Sequence, residues 1–348
     1  MIAQDLRIGI AGDTAMARGV AFQVNATPGM ELTWQTEGDP TSLLKENTID
    51  VFVEASSSTE TSAQNALAAL EHNAHCVLTN PAADLLLGPL CYLEAYQRGL
   101  IVTSDAGSRH GVLATLIEEA DIMGFDILQA GALTKNPDDP ILKLELTLLA
   151  NAMGYLPPEG GFTNPTITNL EDALTLFDFG SYGDTPRIET LTTTKESGGV
   201  YLIVKPKPDL PAEQQDFLKS HHLGDGPYYL LNRPYHLGHL ETPKAILGAA
   251  AGQSTLSHCQ PGCDVYAYVT QDLPTGTSLT PDQITGKIRP LNEDLIPLSL
   301  LEKPASLRTN LKKGDPLTIE NLQLPDTPLT HLWIKQRELL EEANQSSS

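Results

Sequence analysis

Apolar positions along the first 135 residues switch repeatedly between two rhythms. LRIGIAG, from Leu6 to Gly12, is an almost unbroken apolar run ending in glycine, as a buried strand would be. From Ala15 to Asn25 the spacing becomes helical, with Met16, Val20 and Val24 on one face. MELTWQ, IDVFVEAS, HCVLTN, LIVTSD and FDILQAG read as further strands. Helices are predicted near Ser42 to Glu46, over Thr61 to His72 with Ala63, Ala66, Leu67 and Leu70 inward, up to Gly99, and over Val112 to Met123. Strands alternating with helices imply a parallel sheet with right-handed crossovers. The fold class is therefore α/β, and residues 1–135 are expected to form a doubly wound, Rossmann-type domain with FDILQAG as its sixth strand.

Residues 136–263 read as a central α+β region. Ile141 to Met153 is a predicted helix stopped by Gly154, and loop-rich sequence runs on to Arg187. GGVYLIVKPK is a strand, and Ala212 to Ser220 a short helix. A further helix runs from Thr242 to Ala251, where Pro243 suits a first helical position. DLPTGTSLT and LKKGDPLT then repeat one phrase, which predicts a small β-rich domain over 264–328. A terminal segment, 329–348, holds an amphipathic helix from Thr330 to Ala343.

The 348 residues carry a formal net charge of −22. Such a surface repels phosphate backbones, so no nucleic-acid partner is expected. No apolar run reaches the roughly 18 residues of a membrane span. The N-terminus passes straight into a strand pattern without the charged and apolar regions of a signal peptide. With four cysteines in a chain of this size, the expected compartment is the cytoplasm. Cys259 and Cys263, with His258 beside them, invite a zinc reading. No second ligand pair follows at finger-like spacing, so two thiols in a loop is the preferred reading and no metal is expected.

The first turn is the candidate cofactor site. Gly9 precedes Gly12, which takes the first glycine position of a dinucleotide fingerprint; Thr14 stands at the second and Ala17 at the third. Ala15 and Met16 begin the helix whose N-terminus would face a pyrophosphate. Thr14 crowds that position and Asp13 adds a like charge. Glu37 is placed to hold ribose hydroxyls, which favours NAD over NADP. Ala55 and Ser56, after the third strand, and Asn80, after the fourth, would line the nicotinamide end.

The richest chemistry lies in LGDGPYYLLNRPYHLGHLETP, Leu223 to Pro243. Arg233 offers a forked donor for a phosphate or carboxylate, Tyr235 and His236 offer proton transfer, and Glu241 completes the candidate set. The alternative is a hydrogen-bonded turn with an Arg233–Glu241 pair as structural glue.

Taken together, IGIAGDTAMARG, IDVFVEAS, TNPAADLLLGP, SDAGSRHG, KNP, NAMGYLP and the Leu223–Pro243 motif resemble the deoxyxylulose-phosphate reductoisomerase-like oxidoreductases. These are also labelled homoserine-dehydrogenase-like and carry a C-terminal SAF domain, which the two Gly-x-x-Leu-Thr repeats resemble. The resemblance implies an NAD(P)-dependent enzyme acting on a small, branched or phosphorylated keto-sugar, assembled as a homo-oligomer. Ala82, Ser108, Arg109, Ala132 and Ile141 stand where relatives have acids and lysines. Simple hydride transfer without a divalent metal is therefore expected. The competing expectation is a catalytically altered scaffold that binds a sugar or a protein partner without redox turnover.

Overall fold

The structure is a computed structural model and describes residues 5–194, 198–209, 211–221, 223–256 and 261–346. The chain opens with β1 (Leu6–Ala11), α1 (Ala15–Ala26), β2 (Met30–Thr36), α2 (Thr41–Glu46), β3 (Val51–Glu54), α3 (Thr59–Glu71), β4 (His75–Leu78), α4 (Pro81–Arg98), β5 (Val102–Ser104) and α5 (Arg109–Ile122). The five strands form a parallel sheet in the order β2-β1-β3-β4-β5. Ile8, Ile10 and Val53 pack on α1 through Val20 and Val24, while Phe52 and Leu78 meet Leu70 of α3 and Cys91 of α4 on the other face. Gly99 ends α4 in the left-handed region at φ 66°.

The next segments are β6 (Phe125–Thr134), α6 (Pro140–Met153), β7 (Thr166–Ile167), α7 (Ala173–Leu176), β8 (Arg187–Thr193), β9 (Val200–Pro206), α8 (Ala212–Ser220), β10 (Tyr229–Arg233) and α9 (Thr242–Ala250). Here the structure corrects the expectation that FDILQAG joins the first sheet. β6 is the central strand of a second, mixed sheet, β10-β9-β6-β8-β7. It pairs parallel with β8 and antiparallel with β9. β8 and β10 were not legible as strands. α5 and α6 cover one face of this sheet, and Ala173 and Phe179 pack on the other. α9 returns to the first sheet, where Ala245, Ile246 and Ala249 share a core with Ile8, Val20 and Val77.

The remaining elements are β11 (Cys263–Val269), β12 (Ile284–Pro290), β13 (Ser306–Leu307), β14 (Leu322–Gln323) and α10 (Pro328–Ser346). β11 pairs antiparallel with β12, and β13 with β14. This β-rich part shares a core with Leu86, Leu87 and Leu90 of α4 and with Trp333 of α10. The Glu302 carboxylate accepts from Thr59 N at 3.1 Å and Glu60 N at 2.9 Å, filling the N-terminus of α3. Inside α4, Pro89 supplies no N–H to the helical ladder. Beside it, Leu90 N donates to Gln336 Oε1 at 2.9 Å and Gln336 Nε2 donates to Leu86 O at 2.8 Å. The buried carboxamide of Gln336 thus stands between two groups that a regular helix pairs directly. Among the described residues, no helix is long and apolar enough to cross a membrane.

Candidate active site at the carboxyl edge of the parallel sheet

Strand order reverses between β1 and β3, and ligands of open α/β sheets bind in the crevice such a reversal creates. Gly12 borders that crevice at φ 147°, and a Cβ there would lie 2.2 Å from Ala55 O. Thr14 caps α1: its Oγ1 accepts from Ala17 N at 3.1 Å and donates to Ala55 O at 2.8 Å. The Asp13 carboxylate accepts from Ser57 N at 3.0 Å and Ser57 Oγ at 2.8 Å, and these bonds hold it below the usual carboxylate range. Asn80 caps α4, accepting from Ala82 N at 3.0 Å and donating to Ser56 O at 3.2 Å. The turns after β1 and β4 are therefore both laced to the loop after β3. Beneath that loop, Glu54 accepts from Ser56 N at 2.6 Å and Asn65 Nδ2 at 2.8 Å, and burial pushes its carboxyl up to about 7.

The other sequence-predicted cofactor residues spread along this edge. Ala15 is exposed at the start of α1, and Met16 Sδ would lie 3.9 Å from a Cβ on Gly238. Glu37 is exposed just beyond β2. Gly9 lies inside β1, where a Cβ would meet the Trp34 ring at 2.5 Å, so glycine is a packing requirement there rather than part of the turn.

A buried polar cluster lies at the ends of β4 and β5. Asp105 is fully buried and accepts from Thr242 Oγ1 at 2.7 Å, Ser108 Oγ at 2.9 Å and Gly107 N at 3.1 Å. Burial raises its carboxyl despite these bonds. Ser104 Oγ donates to Asp84 Oδ2 at 2.6 Å. At the start of α5, Arg109 pairs with Glu145 of α6 at 2.5 Å. His110 is 2% exposed, with Nδ1 3.8 Å from Glu145 and neither ring nitrogen hydrogen-bonded among the described residues. Asp105 and Thr242 were missed as site residues in the sequence; the available signal was an acid closing the apolar strand LIVTSD.

The Leu223–Pro243 motif docks onto this edge. Gly238 N donates to Gly107 O at 3.0 Å, and a Cβ on Gly107 would lie 1.9 Å from Gly238 O, so the two backbones require glycine. The His239 ring lies against Gly19 of α1. Arg233 pairs with Glu241 at 2.6 Å and stacks 4.7 Å over the Tyr235 ring, while Leu237 N donates to the second Glu241 oxygen at 3.2 Å. The structure thus brings Arg233, Tyr235 and Glu241 together. His236 turns instead to the connection before β9, where Nδ1 lies 2.6 Å from Gly198 O. A carbonyl can only accept, so Nδ1 carries a proton and Nε2 is the ring nitrogen left to face a ligand.

His258 and Cys259 lie outside the described residues. Cys263 is buried and free, its backbone held by Asn151, whose Oδ1 accepts from Cys263 N at 3.0 Å. Among the described residues, no three His, Cys, Asp or Glu side chains gather as a metal-binding group.

Residues 141–242 match the family described as oxidoreductase DRL, catalytic domain. The central segment is thus similar to an oxidoreductase catalytic domain, and the match ends at Thr242, the residue that reaches Asp105. No curated protein sequence matches the chain. Among solved structures, a probable dehydrogenase from Thermotoga maritima is 14% identical at a TM-score of 0.45, over 72% of this chain and 90% of that one. A 3-ketoreductase mutant from Actinomadura kijaniata, in complex with TDP-benzene and NADP, is 14% identical at 0.43, over 72% and 91%. A dipicolinate-bound dihydrodipicolinate reductase from Paenisporosarcina sp. TG-14 is 12% identical at 0.42, over 73% and 96%.

Proposed function

We propose that the chain is an NAD(P)-dependent oxidoreductase that acts on a CH–OH group of a small keto-sugar derivative, branched or phosphorylated. The observation that carries this reading is the oxidoreductase-type central segment docked, through Gly238 and Thr242, onto the edge where a doubly wound sheet binds ligands. The residues at the crevice fit a dinucleotide with a weak pyrophosphate grip. Gly12, Ala15 and Met16 would face the pyrophosphate, Glu37 would take the ribose hydroxyls and favour NAD, and Ala55, Ser56 and Asn80 would border the nicotinamide. The weakness comes from Asp13 and Thr14, whose side chains already bridge the crevice.

A bound nicotinamide would give or take the hydride. The chain's own residues do the rest. Arg233 would hold a phosphate or carboxylate with the donors that Glu241 leaves free. His236, oriented by Gly198 O, would pass a proton at Nε2, with Tyr235 as the second candidate. The β-rich part after Asp264 is read as a SAF domain, and the protein as a cytoplasmic homo-oligomer.

A second reading, a scaffold that binds a sugar or partner without turnover, is favoured by the Asp13–Ser57 and Thr14–Ala55 bridges across the crevice. One experiment separates the two. NADH and NADPH are titrated, and their oxidation is followed against a panel of keto-sugars and their phosphates, with and without magnesium or manganese. NADH binding with metal-independent turnover supports the enzyme. Neither binding nor turnover supports the scaffold. Metal-dependent conversion of deoxyxylulose phosphate would overturn the simple hydride transfer.

A further inference from the structure

A cavity of about 250 Å³ lies where α4, β11 and α10 meet. It shares no residue with the carboxyl-edge site. At roughly 30 Å³ for each water-sized group, it has room for a ligand of roughly eight heavy atoms. Leu86, Pro89, Leu295 and Trp333 give it apolar walls. We propose that this cavity binds a small apolar carboxylic acid, with the carboxylate on Arg337, Tyr266 and Asp264 and the hydrocarbon against Trp333 and Pro89.

Three polar groups of the lining are all able to donate. The Arg337 guanidinium stacks 4.9 Å over the Trp333 ring and makes no ion pair among the described residues. In a chain of net charge −22, a guanidinium without a carboxylate of its own is a ready partner for an incoming one. The Tyr266 hydroxyl accepts from Asn292 N at 2.8 Å, so its own proton is directed elsewhere. Burial raises this phenol, and Arg337 lies near enough to oppose that rise.

Asp264 accepts from Val265 N at 2.6 Å through one carboxyl oxygen. The residue is half-buried at the cavity wall, and the burial of its carboxyl pushes it up to about 7. Near neutrality a large fraction therefore carries a proton and donates. An ammonium ligand would face the Arg337 guanidinium, which has no ion-pair partner among the described residues, so the cavity favours a carboxylate. Glu293 and Glu341 also border the cavity, but both are exposed at its rim, where water and salt screen them. The cavity is also built where α4 is interrupted: Pro89 gives no N–H and the Gln336 amide holds the neighbouring turn. Pro89 and Gln336 both form part of its wall.

The test is calorimetric titration of the full chain with 4-methylpentanoate and with its uncharged amide. Saturable binding of the acid is expected, with the amide weaker by about tenfold or more for loss of the charge-assisted bonds. Arg337→Gln should weaken the acid by a similar factor. Leu291→Phe, which narrows the half-exposed mouth and leaves every charge in place, should weaken both ligands together. Absence of saturable binding by the acid would overturn the proposal. So would equal binding of acid and amide, or acid affinity untouched by both substitutions.

Discussion

Thr242 Oγ1 donates to Asp105 Oδ1 across 2.7 Å, joining the last residue of the oxidoreductase-like segment to the end of the fifth parallel strand. Both residues are fully buried. Thr242→Val keeps the shape and removes the donor, leaving a buried carboxyl oxygen unsatisfied. The expected loss of stability is about 2 kcal/mol in urea unfolding, while Thr242→Ser should stay within about 1 kcal/mol of wild type.

Glu54 sets a pH dependence. Its folded pKa of about 7 lies above the ordinary 4.5, so the folded chain binds more protons than the unfolded chain between these values. The stability it contributes is full at low pH and is lost as pH rises through about 7. Glu54→Gln should flatten the stability curve between pH 5 and 8 by on the order of 3 kcal/mol, since each tenfold difference in proton affinity between the folded and unfolded chain is worth about 1.4 kcal/mol. Asp264 and Asp105 should contribute to the slope that remains, since burial moves both in the same direction.

Asp13 should limit cofactor affinity. Asp13→Asn keeps an acceptor for Ser57 N and removes the charge beside the expected pyrophosphate position. NADH affinity, read by fluorescence titration, should rise roughly fivefold, as expected for one like charge removed near the surface. Glu37→Ser should narrow the preference for NADH over NADPH without altering the fold.

Arg233 and Glu241 should prove coupled in stability. Arg233→Lys keeps the charge but loses the planar stack on Tyr235. Single and double substitutions with Glu241→Gln, compared in a thermodynamic cycle, should give a coupling of about 1 kcal/mol. A substrate phosphate held by Arg233 would add a rise in KM to that loss.

The sequence revealed the elements of the first sheet because strand and helix rhythms alternate cleanly from Leu6 to Ile122. Sheet membership was not legible, because periodicity reports which face is buried and not which strand lies alongside. FDILQAG therefore looked like one more parallel strand, although β6 pairs with β8 and β9. β8 breaks the apolar pattern at Arg187 and Glu189; Glu189 is buried and accepts from Thr163 Oγ1 at 2.7 Å. β10 was masked by the glycines and prolines around it. At the candidate site the motif was conspicuous for its polar side chains. Its buried tether, Thr242 to Asp105, joins residues 137 positions apart that no local pattern connects.

The place of Gln336 in α4 has a consequence for the order in which the chain can fold during synthesis. β1 to β5 emerge from the ribosome early, yet the α4 ladder is completed by a carboxamide about 250 residues downstream. Until α10 arrives, Leu86 O and Leu90 N have no carboxamide between them, and the N-terminus of α3 also waits for Glu302. The outer side of the α3–α4 layer is therefore covered last, by the β-rich part and α10. A nascent chain lacking Gln336 would still pack Phe52 and Leu78 against Leu70 and Cys91, but its α4 would lack the carboxamide bridge.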